Sequence, residues 1–302
     1  MTEKLIKLRP ENSDTDVEIA LPAPKAGFPS FFAWSLNKAG STLLTRMLDD
    51  YFSAVSYPRI DVPGLLFRNG LPSNIGAEQY RKTLFTEGYA YIGWRNPAAL
   101  RAKGFPFDKV KNILLVRDPR DRLVSSYFSV AHSHSIPDSG GLRNTMSAER
   151  QKAKQLGNVN EWVRSEPKEF HNFLAGLNGF HKNLPPNSTR IYRYEDIIFR
   201  KKDFLADVIE YSGAAYDPAL IEKVAEKHDI RPSKERPEHH VRQVKFGNYK
   251  EHFDEESMAR TAEKYAACLD VYGFNNEQAF GDKIVFAKEG EEAKAVLSRE
   301  LL

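Results

Sequence analysis

Within the stretch Lys38-Ala39-Gly40-Ser41-Thr42, a lysine, a glycine and two hydroxyls follow one another closely. Such a set suits an anion. The lysine supplies a full charge, the glycine lets the backbone approach, and amides at a helix start point unpaired N–H groups at phosphate oxygens. In the plainer alternative, Ser41 or Thr42 caps a core helix and Lys38 is a solvated surface charge. This is not a Walker loop, in which the lysine directly follows a glycine and precedes the hydroxyl, so an ordinary nucleotide triphosphatase is disfavoured. A second set is Arg117 with Ser125, a guanidinium fork and a hydroxyl fit for a second phosphate. Pairing of Arg117 with Asp118 or Asp121 is the competing reading.

The flanking residues supply the elements that must hold these groups. The apolar run Phe28 to Trp34 reads as a buried strand, and Leu43, Leu44, Met47 and Leu48 keep the spacing of one helical face. Ile113 to Val116 is again of strand length, and Asp118-Pro119 starts a helix carried on by Leu123, Val124, Tyr127 and Phe128. Ala54 to Tyr57, Tyr89 to Trp94 and Thr189 to Tyr194 are the other strand candidates. Helices are expected over Glu78–Glu87, Asn160–Leu184, Phe204–Ser212, Pro218–Lys227 and Ser257–Leu269. Segments 59–76, 133–158 and 231–248 read as loops. Strands separated by helices, with no hairpin signal, indicate an α/β protein with a central, mainly parallel sheet. Ligands of such sheets sit at the strands' carboxyl ends, which places Lys38 and Arg117 at one crevice.

The chain of 302 residues can bury a sizeable core. Its net charge of +3 is too small to suggest a nucleic-acid binder. Cys268 is the only cysteine, so an internal disulfide and metal sites built on paired cysteines are excluded. No apolar run approaches a membrane span and the amino terminus lacks a signal-peptide core. A soluble, cytoplasmic protein is the expectation. The organisation read from the chain is an amino-terminal arm over 1–27, a main domain over 28–281 and a polar tail over 282–302.

At these residues the chain resembles the sulfotransferases that use 3′-phosphoadenosine 5′-phosphosulfate (PAPS), over about Phe28 to Phe274. The family's first motif, Lys-Ser-Gly-Thr-Thr after a strand, is similar to Lys38-Ala39-Gly40-Ser41-Thr42. An arginine with a serine eight positions later fits Arg117 and Ser125, and a Tyr-Glu-Asp segment fits Tyr194-Glu195-Asp196. The late arginine-led loop ending Gly-Asp-Trp-Lys-x-x-Phe resembles Arg242 to Phe253. The resemblance implies a P-loop-nucleotide-kinase-like three-layer architecture. It also implies that PAPS is the cofactor, released as adenosine 3′,5′-bisphosphate (PAP). Lys38, Ala39, Gly40, Ser41 and Thr42 would then hold the 5′-phosphosulfate, Arg117, Ser125 and Arg242 the 3′-phosphate, and Tyr194 the adenine, unless Tyr194 is simply core. The partner would be a small-molecule, sugar or lipid acceptor, with no nucleic acid, no membrane span and no metal.

The chain departs from the family pattern in telling places. Arg242-Gln243-Val244 stands for Arg-Lys-Gly, leaving Lys245 as a possible substitute charge, and Leu43 replaces an aromatic after the first motif. The catalytic histidine of cytosolic members, in a segment ending His-x-Pro, is answered by Trp94-Arg95-Asn96-Pro97, and an arginine is no general base. Asp61 is the expected base, against its reading as a turn-former; His132 and His134 come next. The expected reaction is in-line sulfuryl transfer to a hydroxyl or amine, with Lys38 stabilising the leaving phosphate oxygen. A nucleotide-kinase-like phosphoryl transferase and a cofactor-binding module without catalysis are the alternatives.

Overall fold

The computed structural model describes residues 4–9, 14, 16–69, 75–136, 141–230, 244–275 and 287–301. It begins with two antiparallel strands, β1 (Lys4–Leu8) and β2 (Val17–Leu21). They correct the reading of residues 1–27 as a loose arm. Ile6, Leu8, Val17, Ile19 and Leu21 alternate inward and join the larger hydrophobic core. Period-two spacing is the reason, because it gives the strand pair one face to bury.

Five parallel strands form the main sheet, in the order β4-β5-β3-β6-β7. They are β3 (Phe31–Ser35), β4 (Arg59–Ile60), β5 (Ala90–Trp94), β6 (Lys111–Val116) and β7 (Thr189–Arg193). Side chains of the inner strands divide between two faces. Phe31, Ala33, Ala90, Ile92, Ile113 and Leu115 turn to one, while Phe32, Trp34, Tyr91, Trp94, Leu114 and Val116 turn to the other. Helices must therefore cover both sides, and the result is the expected three-layer α/β architecture.

The helices up to the third quarter of the chain are α1 (Ser41–Ala54), α2 (Val62–Arg68), α3 (Ala77–Arg81), α4 (Pro119–Phe128), α5 (Gly141–Leu156), α6 (Val159–Arg164) and α7 (Lys168–His181). After β7 come α8 (Tyr194–Ile197), α9 (Lys201–Ser212), α10 (Pro218–His228), α11 (Tyr249–His252), α12 (Glu255–Lys264), α13 (Ala266–Tyr272) and α14 (Gly290–Leu297). Helices α1, α9 and α10 pack on the Phe31 face; α4, α6, α7 and α13 pack on the Trp34 face. No helix among the described residues is long and apolar enough to cross a membrane.

Several boundaries differ from expectation. Helix α1 runs on through Ala54, so the strand expected over Ala54–Tyr57 is the two-residue β4 instead. The expected loop 59–76 contains α2, because Asp61 accepts from the Gly64 N–H and Pro63 fits the first turn. The expected loop 133–158 contains α5. The single helix over 160–184 breaks into α6 and α7 at Glu166-Pro167, where Glu166 takes a φ of 45°. The polar tail carries α14, with Ala293, Val296 and Leu297 buried, and Lys288 pairs antiparallel with Ile191 of β7.

Candidate active site

The β3–α1 loop brings a lysine and unpaired amides to the start of a helix. Gly40, at φ 86°, precedes α1, whose amino terminus has neither a side-chain cap nor an acid in its first turn. The amides of Ser41 and Thr42 thus start a helix of 14 residues with no capping side chain competing for them. Lys38 adds the charge. Its ammonium is half-buried, donates to Ser129 Oγ at 2.5 Å, and is lowered to about 8 by burial first and then by the positive charges of Arg95 and Arg122. Burial and these two guanidiniums outweigh Glu169, the acid that acts on Lys38 in the opposite direction.

Arg117 directly follows β6, the strand paired with β3, and its Nη1 donates to the Lys38 carbonyl at 3.2 Å. The Arg117 guanidinium thus lies against the main chain of the β3–α1 loop. The guanidinium lies 4.4 Å over the Tyr194 ring and 3.8 Å from Asp121, and its buried Nε has no partner among the described residues. Tyr194 in turn lies hard against Gly40, where a Cβ would approach its Cδ2 at 2.7 Å. With 7% of its surface exposed, Tyr194 is a packed prop that joins the loop to Arg117.

Three residues assigned no such role from the sequence hold this frame. Asp121, fully buried, accepts from the Gly247 N–H at 2.8 Å and the Tyr249 N–H at 3.0 Å, pinning the end of the late loop to the start of α4. Arg122 donates to the carbonyls of Asn37 and Glu169 at 2.9 and 3.1 Å and lies 4.6 Å from the Phe173 ring; burial lowers it to about 10. Ser129 opens a π-helical turn, Ser129–Ser133, a feature common at functional sites. Spacing in the segment Arg120-Asp121-Arg122 gave no means of telling which charge would turn inward. Glu195 strengthens the same junction: its Oε1 accepts from the Asp118 N–H at 3.0 Å, and burial pushes its carboxyl up to about 8.

Ser125, in α4, lies one helical turn before Ser129, and its hydroxyl has no hydrogen-bond partner among the described residues. Arg242 lies outside the described residues. Lys245, the substitute charge, pairs with Glu251. His132 is exposed, and the His134 ring lies parallel to that of Phe67 at 6.3 Å.

Asp61 is both a cap and a held carboxylate. Its Oδ1 accepts from the Gly64 N–H at 2.8 Å, and Arg68 stands 3.7 Å from Oδ2. A Cβ on either Gly64 or Gly93 would overlap that carboxylate, so two glycines frame its slot. Burial is the first cause that raises its carboxyl above the ordinary range, against the lowering effects of the Gly64 amide, Arg68 and Arg95. A cavity of about 230 Å³ opens beside it, lined by Ile19, Leu21, Leu65 and Ile92 and by the charged Asp49, Arg59 and Arg68.

A profile of the sulfotransferase domain matches residues 95–273, more than half of the chain. The chain belongs to the sulfotransferase domain family. Mouse sulfotransferase 2A1 is 25% identical over 156 residues, covering 52% of this chain and 50% of that protein, so the chain spans about half the length of the curated relative it matches. Among solved structures, mouse sulfotransferase SULT7A1 complexed with PAP has a TM-score of 0.53 at 11% identity, covering 83% of this chain and 88% of that one. This likeness concerns the fold. A retinol dehydratase in complex with androsterone and PAP has a TM-score of 0.47 at 14% identity, covering 84% and 82%.

In this sulfotransferase-family chain the matched stretch takes in Arg95, Arg117, Asp121, Arg122 and Tyr194, while Lys38 and Asp61 precede it. The Asp61 slot is closely bounded by Gly64 and Gly93. Gly93 has a φ of 76°, which disfavours any side chain, and Gly93→Ala would also drive a methyl into the carboxylate. Gly93→Ala is expected to destabilise the fold by about 1–3 kcal/mol. A denaturant midpoint unchanged from wild type would show that the slot is not tight.

Proposed function

We propose that the chain transfers a sulfuryl group from PAPS to a hydroxyl or amine of a small-molecule, sugar or lipid acceptor. The observation that carries this reading is the shared rim of Lys38 and Arg117, two cations from adjacent strands linked by the 3.2 Å bond to the Lys38 carbonyl. Two anionic ends of one ligand suit two such groups. Membership of the family and the PAP complex of SULT7A1 support it.

The donor set fits that cofactor. Lys38 and the amides of Gly40, Ser41 and Thr42, with Ala39 completing the loop, are assigned to the 5′-phosphosulfate. Arg117, with its unpartnered Nε, and Ser125 are assigned to the 3′-phosphate, joined by Arg242, and Tyr194 supports the adenine side. When bound, the cofactor supplies the sulfuryl group and a phosphate leaving group. Lys38 places its positive charge where the leaving oxygen gains electrons. Asp61 takes the acceptor's proton on a carboxylate oxygen, its raised pKa making it a better base than an ordinary aspartate. The neighbouring cavity, which Ile19, Leu21, Leu65 and Ile92 line together with Asp49, Arg59 and Arg68, is assigned to the acceptor. A lone, buried Cys268 suits a reducing, cytoplasmic setting.

Calorimetry tests the reading against the kinase alternative. PAP is expected to bind, and ATP with magnesium to bind far more weakly. Because free Lys38 sits near 8 and an anion favours its charged form, PAP binding at pH 9 is expected to take up a proton, visible as a dependence of the heat on buffer ionisation enthalpy. Preference for ATP with magnesium would overturn the assignment.

A further inference from the structure

We propose that Arg95 is a second cation for the sulfuryl end of the cofactor, its guanidinium meeting the sulfonate oxygens beside Lys38. The inference rests on the function proposed above. Strands β5 and β3 are neighbours, with Trp94 opposite Trp34, so Arg95 and Lys38 leave the same rim one strand apart. The backbone that roots Arg95 is fixed on both sides. Trp94 is 1% exposed and donates to the Ile60 carbonyl at 3.4 Å; Asn96 Oδ1 accepts from the Ala98 N–H at 2.9 Å; Pro97 sits against Gly179 of α7. The Arg95 side chain itself is exposed, and no hydrogen bond or ion pair within 4 Å engages it among the described residues.

Charge decides what that guanidinium is for. Arg95 and Arg122 both act on Lys38, but Arg122 is committed to the carbonyls of Asn37 and Glu169. Arg95 has no such tie; it reaches Lys38 on one side and Asp61 on the other through space alone. Two cations held near each other repel unless an anion lies between them. The sulfonate is the anionic group the proposed function brings to that rim, and a planar fork with several N–H donors matches its oxygens. This also accounts for an arginine where cytosolic members carry a histidine. The position stabilises charge here, and proton removal passes to Asp61 across the sheet edge.

Two probes titrated calorimetrically, without acceptor, into the full chain test this: PAPS, and PAP, which lacks the sulfuryl group. R95Q is expected to weaken PAPS binding about tenfold or more, the worth of a lost charge-assisted contact. PAP binding should stay within about twofold, which also certifies the fold. R95K should fall between, keeping the charge but not the fork. Equal loss for both probes would place Arg95 at the phosphates, and no loss for either would leave it outside the site; each result overturns the inference. Failure of the wild type to bind PAP would instead overturn the proposed function beneath it.

Discussion

Lys38→Ala is expected to lower kcat by about 10²–10³-fold, the usual cost of removing one preorganised donor from a developing anion. The fold should persist. Arg117 bonds the Lys38 carbonyl, which alanine keeps, and the side chain's direct partner is a single hydroxyl, Ser129 Oγ. The ligand-free variant should be no less stable than wild type, since a desolvated ammonium has been removed. The sign follows from the shift. Lys38 falls from 10.5 to about 8 in the folded protein, so between these values the unfolded chain binds more protons. Stability of the ligand-free wild type should rise with pH across that window, and the variant should lose the rise. Near-normal sulfation of a panel of phenols, alcohols and amines by Lys38→Ala would remove this residue from the mechanism.

Asp61→Asn is the second large effect, an expected fall in kcat of about 10²–10⁴-fold with PAP affinity unchanged. Asparagine is the sharper choice because its Oδ1 can still accept from the Gly64 amide and cap α2, so the helix survives while the base does not. Gly64 and Gly93 leave the new amide the same slot. A kcat within threefold of wild type would move proton removal elsewhere, with His132 and His134 the next residues to replace.

The parts of the site that could be read from sequence are those where a short apolar run meets a helix start. Phe31 to Leu48 and Ile113 to Phe128 are such units, and both strand-to-helix junctions stand where they were expected. Density of proline and glycine hid α2, although Asp61-Val62-Pro63 carries the same acid-then-proline signature that exposed α4 at Asp118-Pro119. Helix α5 is hard to read because its composition is polar: Ala153 is buried, while Leu142, Met146 and Leu156 are only partly so. In β1 and β2 the alternation was present, at Ile6, Leu8, Val17, Ile19 and Leu21, but neighbouring prolines drew the reading towards a loop. Asp121 and Arg122 illustrate a deeper limit. Their partners lie 126 and 85 positions away, at Gly247 and Asn37, and no local pattern records a bond across that distance.

The antiparallel bridge between Lys288 and Ile191 has a consequence for how molecules of this protein can meet. Strand β7 closes one side of the main sheet, and Ile191 both donates to and accepts from Lys288 at 2.9 Å. Its outward main-chain groups are thereby spent within the molecule at that point, with α14 laid alongside. To extend the ladder at that point a neighbouring copy would have to displace Lys288 from Ile191.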